Sequence, residues 1–112
     1  MLFRSLVFQE LLAINEYERF GYDLYFWRTT DQHEVDFILY GEKGLIAIEV
    51  KSSKNIKPSD LHGLKLFKAE YPIAKLFIFY GGKEPIYRDD ITILPLESTL
   101  KELSSFLRSH SI

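Results

Sequence analysis

The stretch HEVDFILYGEKGLIAIEVKSS, residues 33–53, sets Glu34, Asp36, Glu49 and Lys51 into two runs of Val, Ile, Leu and Phe that read as a pair of β-strands. The turn between them, YGEKG, decides which charges meet. With Glu42 and Lys43 as the loop, Gly41 pairs with Gly44, and counting outward puts Asp36 opposite Glu49 and Glu34 opposite Lys51. Side chains alternate along a strand, so all four emerge on one face, while Val35, Phe37, Leu39, Ile46, Ile48 and Val50 form the other, apolar face, with His33 on that side too. A one-residue bulge would undo this register. Opposed side chains have Cβ atoms roughly 4.5–5.5 Å apart, where two like charges are unfavourable without a cation between them. Lys51 is one candidate. A divalent metal held by both carboxylates is the other, and oxygen ligands without His or Cys favour Mg²⁺ or Mn²⁺ over zinc, with water and substrate phosphate filling the remaining positions. A surface ladder, with Glu34 paired to Lys51 and Asp36 solvated, also satisfies the charges and contributes roughly 0–1 kcal/mol.

A third acid stands far earlier in the chain. Residues 2–20, LFRSLVFQELLAINEYERF, lack Gly and Pro, and Phe3, Leu6, Val7, Leu11, Ile14 and Tyr17 recur at helical spacing up to Gly21. Glu10 falls within that stripe, where an unpaired carboxylate is costly to bury. Either the helix packs over the sheet edge and aims Glu10 at the Asp36/Glu49 cluster, or Glu10 pairs with an arginine such as Arg28. Phe8 and Leu12 lie on the other side of the helix, which predicts that it touches more than one surface. It begins at residue 2 without a capping residue, as in a chain that carries a further N-terminal domain.

The elements that must position these residues follow from the same periodicities. Strands are expected at 24–29, 34–40 and 45–51, then a helix from Pro58 to Tyr71 stopped by Pro72. A buried strand at 73–80 closes at Gly81 and Gly82, short strands follow at 86–88 and 91–94, and a last helix runs over about 96–109. The order is α-β-β-β-α-β-β-β-α, an α/β fold. With 112 residues, 46% hydrophobic and 15% aromatic, the chain is sufficient for one domain, 1–112, with a packed core. It has no Cys, which removes disulfides, thiolate metal sites and cysteine nucleophiles and suits a reducing cytoplasm. No apolar run approaches the roughly 20 residues that span a bilayer, and no signal peptide opens the chain, so a soluble protein with no membrane partner is expected.

The net charge of −2 argues against a general nucleic-acid coat, yet it is unevenly spread. Residues 1–42 hold three Arg against eight acids, whereas residues 43–75 hold seven Lys against three acids. That lysine segment is either solvated helix and loop surface or a strip facing phosphate beside an acidic site.

A helix with Glu10, then Asp36, then Glu49-Val50-Lys51 resembles the pattern of the PD-(D/E)XK nuclease superfamily. More closely, FQELLA at 8–13, YFWRTTDQHEVDFIL at 25–39 and IAIEVKSS at 46–53 are similar to the uncharacterised C-terminal domain of many prokaryotic AAA-type ATPases, over about residues 5–82. The resemblance implies a restriction-endonuclease-like mixed central sheet flanked by helices, with Glu10, Asp36, Glu49 and Lys51 as the catalytic set. It implies metal ligation by Asp36, Glu49, the Val50 carbonyl and, as the first-helix acid, Glu10, with Lys51 activating water and stabilising phosphate charge. Arg28, Ser52, Ser53 and Lys54 are the expected phosphate contacts. The implied activity is Mg²⁺- or Mn²⁺-dependent hydrolysis of DNA. The alternative is a non-catalytic module that binds nucleic acid or protein for an attached ATPase, since this fold alone does not settle function. Val35 stands where the superfamily motif has proline, and no G-x-x-x-x-G-K-[ST] is present, so the ATPase part would lie upstream.

Overall fold

The computed structural model describes residues 2–112 as a six-stranded mixed sheet flanked by helices on both faces. Helix α1 spans Leu2–Glu18, followed by strands β1 (Asp23–Arg28), β2 (Glu34–Gly41) and β3 (Gly44–Val50). A 3₁₀ turn at Pro58–Leu61 leads into α2 (His62–Glu70), then come β4 (Lys75–Tyr80), β5 (Ile86–Arg88) and β6 (Ile91–Pro95). Helices α3 (Leu96–Lys101) and α4 (Leu103–His110) follow. The spatial order is β1-β2-β3-β4-β6-β5, with β3, β4 and β6 parallel and the rest antiparallel to their neighbours.

Three details differ from the periodicity. The helix predicted from Pro58 begins as the 3₁₀ turn, and only His62–Glu70 is α-helical. The predicted last helix is broken at Glu102, whose backbone leaves helical geometry at φ −123° and ψ 37°. No Gly or Pro marks that point, and both pieces still bury the same side, through Leu96, Leu103, Phe106 and Leu107. Ile73 and Ala74, predicted as strand, instead form a turn after Pro72, in which the Ala74 N–H donates to the Tyr71 carbonyl at 3.0 Å.

Burial on both faces explains why β3 and β4 read as continuous apolar runs. Leu39, Ile46, Ile48 and Phe79 pack under α1, α3 and α4, while Ala47, Ile78 and Ile93 pack against Leu64 and Phe67 of α2. Helix α1, apolar over most of its circumference, settles with Val7 and Leu11 fully buried and leaves Phe3, Leu6, Phe8 and Leu12 exposed. Its end is fastened by reciprocal bonds between Asn15 and the Tyr22 backbone at 2.7 and 3.0 Å and by a Glu18–Arg108 pair at 2.9 Å. No helix among the described residues is long and apolar enough to cross a membrane.

Helix α2 lies tightly against β2 at Gly63. A Cβ placed there would sit 2.4 Å from the Glu34 carbonyl oxygen, a backbone atom that cannot move aside independently. Alanine is favoured over glycine in a helix by about 1 kcal/mol, but the clash outweighs that gain. Gly63→Ala should destabilise the fold by about 1–3 kcal/mol in urea unfolding, because α2 must lift from the sheet.

Candidate active site

The β2–β3 ladder runs from Gly41↔Gly44 to Phe37↔Ile48, in the register that the turn predicts, and stops there. On the other side of β2, Tyr25 pairs with Ile38 and Trp27 with Val35, so Phe26 alone faces both Asp36 and Phe37. This is a one-residue bulge, a device that locally bends a strand and re-aims side chains. It reverses the face of the residues before it, and the predicted faces change accordingly. Val35 does not share a face with Phe37 but packs in the α2 cluster, and the His33 ring lies against His62 with centroids 6.0 Å apart. Nor does Glu34 pair with Lys51. Glu34 meets Arg28 at 3.3 Å, and Lys51 Nζ meets Asp60 at 3.4 Å.

Beyond the last backbone pair, the two acids continue the connection themselves. Glu49 Oε1 accepts the Asp36 N–H at 2.9 Å, and Asp36 Oδ2 accepts the Val50 N–H at 2.8 Å. Two buried amides are thereby satisfied by two buried carboxylates, each residue only 8% exposed. Neither acid is a solvated surface charge, so the surface-ladder arrangement does not hold.

The cation that reaches them from α1 was not anticipated. Glu10 is exposed and takes no place beside the pair, correcting both the buried third acid and its alternative contact with Arg28. Arg4 comes instead, with Nε 2.9 Å from Asp36 Oδ1. Its N–H is not aimed at that oxygen, so this is an ion pair without a hydrogen bond, and Nε is buried with no hydrogen-bond partner among the described residues. The cause is the phase of the helix. Its inward stripe is Arg4, Val7, Leu11, Ile14 and Glu18, at spacings of three and four, with Val7 and Leu11 fully buried and the other three half-buried, rather than one centred on Glu10. A cation at the head of a stripe containing Val7 and Leu11 was the available signal.

Burial pushes Asp36 up, opposed by the Val50 N–H, Arg4 and Lys51 and reinforced by Glu34. Burial and then the Asp36 charge push Glu49 higher, to about 8, despite the Asp36 N–H, Lys51 and Arg4. Two carboxylates this close resist ionising together, so near neutral pH the pair holds one proton between them. Lys51 acts on both from a side chain 37% exposed, while Asp60, which also accepts the Lys57 N–H at 2.9 Å, holds its head group. Asp60 lies below the ordinary carboxyl range because the Lys57 N–H and the Lys51 charge outweigh a desolvation effect acting in the opposite sense.

Of the remaining predicted contacts, Arg28 is exposed beside Glu34 and stacks over Phe26 at 5.9 Å. Ser53 Oγ accepts the Asn55 N–H at 3.0 Å, and Ser52, Ser53 and Lys54 are exposed in the loop after β3. Ser52 also lines a cleft of about 630 Å³ with Gly81, Lys83, Pro95 and Lys101. That cleft and the acid pair both lie at the carboxyl ends of the parallel strands, where open α/β sheets commonly bind ligands.

Among the described residues, no three His, Asp or Glu side chains gather as a metal-binding group. The donor type still fits a hard divalent ion, since Mg²⁺ commonly takes one or two carboxylates and completes its shell with water and phosphate. What competes is charge already present, because Asp36 Oδ1 faces Arg4 and Oδ2 faces the Val50 N–H. The family model described as "Domain of unknown function (DUF4143)" matches residues 1–99, from α1 into α3. The chain belongs to this family. No curated protein matches it. The DUF4143 match thus encompasses the bulge, both acids, Lys51, Arg4 and Asp60.

A carboxyl raised by burial keeps its proton in the folded chain after the unfolded chain has lost it. The stability that Glu49 contributes is therefore complete below its ordinary 4.5 and is lost as the pH rises toward 8, and Asp36 acts in the same sense. In metal-free buffer, urea unfolding should show a loss of roughly 3–4 kcal/mol between about pH 5 and pH 8. Glu49→Gln keeps an acceptor for the Asp36 N–H and should flatten that slope. An unchanged slope would place the titration elsewhere.

Proposed function

We propose that this DUF4143 domain is a restriction-endonuclease-like, metal-dependent nuclease domain that hydrolyses DNA phosphodiester bonds. The observation that carries the reading is the buried pair Asp36 and Glu49, joined through each other's strands at a bulge, with Lys51 close enough to act on both. Perturbed carboxylates beside a lysine at the strand ends are the arrangement that phosphate chemistry uses. Asp36 and Glu49 would hold Mg²⁺ or Mn²⁺, which supplies Lewis-acid stabilisation of phosphate charge. Lys51 is partly exposed, so its ammonium can turn from Asp60 toward a phosphate oxygen and orient the attacking water. Ser52, Ser53 and Lys54 follow directly and offer hydroxyl and ammonium donors to the backbone of the substrate.

A second reading has its own support. The Arg4–Asp36 pair, and the exposure of Glu10, favour a non-catalytic module that binds nucleic acid or a protein such as an attached ATPase. Phe3, Leu6, Phe8 and Leu12 on α1 offer an apolar surface for such docking.

Incubation with linear, nicked and branched DNA in Mg²⁺ or Mn²⁺ separates the two. The nuclease reading expects cleavage that falls at least ~100-fold in Asp36→Asn and in Lys51→Ala, consistent with the loss of one electrostatic partner in a catalytic site. Intact DNA on every substrate, with folded protein and retained DNA binding, would favour the non-catalytic module.

A further inference from the structure

The carboxylate pair meets a guanidinium from α1 where a third acid was expected, and this changes what the pair can bind. We infer that Arg4 and a divalent cation are alternative occupants of the Asp36/Glu49 pair, so that metal enters only when the first turn of α1 withdraws Arg4. The inference rests on the reading of Asp36 and Glu49 as metal ligands.

Three observations support the exchange. Arg4 Nε lies 2.9 Å from Asp36 Oδ1, and a dication bound to that carboxylate would stand within a few ångströms of the guanidinium, where like charges repel strongly in a partly buried site. The contact is not keyed by a hydrogen bond, since Nε is buried and its N–H finds no acceptor among the described residues. Charge alone holds it, and a stronger cation can replace it. The helix is also built so that the arginine can leave. Its fully buried anchors, Val7 and Leu11, and its ties through Asn15 and Glu18 all lie after Arg4. The neighbours Phe3 and Leu6 are 43% and 46% exposed. Withdrawal therefore requires movement of one turn and leaves the helix docked. Lys51 does not occupy the place of Arg4, because its ammonium rests on Asp60 at 3.4 Å and touches neither acid directly.

The exchange is one cation for another, with no covalent step. Arg4 keeps the buried acids compensated in the absence of metal and excludes metal while it stays. The first turn of α1 becomes the gate. A contact that draws on its exposed apolar residues would then open or close the site.

The test is Mn²⁺ binding by the full 112-residue chain, followed by calorimetry and by the electron paramagnetic signal of free Mn²⁺. Arg4→Gln should bind Mn²⁺ at least about tenfold more tightly than the wild type, and Arg4→Lys, which keeps the charge, should stay near the wild-type affinity. Without metal, Arg4→Gln should melt lower than the wild type, and saturating Mn²⁺ should raise its melting temperature more. A readout without substitution comes from Mg²⁺ titration of the wild type by NMR, in which the Arg4 Nε–H resonance should shift as the ion binds. Equal Mn²⁺ affinity in the wild type and Arg4→Gln, with binding abolished by Asp36→Asn, would overturn this inference and leave the metal site standing. Binding absent from every variant, or unaffected by Asp36→Asn, would overturn the metal site and the inference together.

Discussion

Two carboxylates buried at the end of a β-ladder are the constraint around which this end of the molecule is arranged. Asp36 and Glu49 stand where backbone pairing between β2 and β3 has stopped, and each accepts an amide N–H from the opposing strand. Removing a charge from water is costly unless it is paired or neutralised. The structure applies both remedies: Arg4 faces Asp36, Lys51 acts on the pair, and burial raises both carboxyls so that they do not ionise together.

The bulge makes this arrangement possible. In an unbroken ladder the amides of Asp36 and Val50 would have no need of side-chain acceptors, and Val35 would lie on the α1 face. The extra residue in β2 sends Val35 to the α2 cluster and separates Glu34 from Lys51. Asp60 thereby gains two roles. It caps the 3₁₀ turn through the Lys57 N–H and holds Lys51 ready at the edge of the pair. The layers also divide the cations, one delivered by α1 and one steadied by the entrance to α2.

Much of the architecture was legible in the chain. Helical and strand periodicities located all six strands and the helical segments to within a few residues, though not the 3₁₀ start of α2 or the division of the last helix, and the YGEKG turn was enough to set the hairpin register from Gly41↔Gly44 to Phe37↔Ile48. The chemistry of Asp36, Glu49 and Lys51 was equally visible, because acids and a lysine within apolar strands require an explanation. The break at Glu102 carried no glycine or proline and was not visible. Glu10 misled for a definite reason. Helix α1 is apolar on nearly all sides, so more than one stripe suits burial, and a rotation of one residue exchanges Glu10 for Arg4 as the charge that faces the sheet.

The sequence by itself determined the local order: which segments are helices and strands, how the hairpin closes, and that three charged residues share one hairpin. These depend on periodicity and turn geometry, which act over a few residues. Only the tertiary structure decided the bulge, the face of Val35 and His33, and which charge of α1 meets Asp36. Those outcomes depend on how β1, α1 and α2 pack on β2, contacts between segments far apart in the chain, where several arrangements satisfy the same local pattern and burial chooses among them.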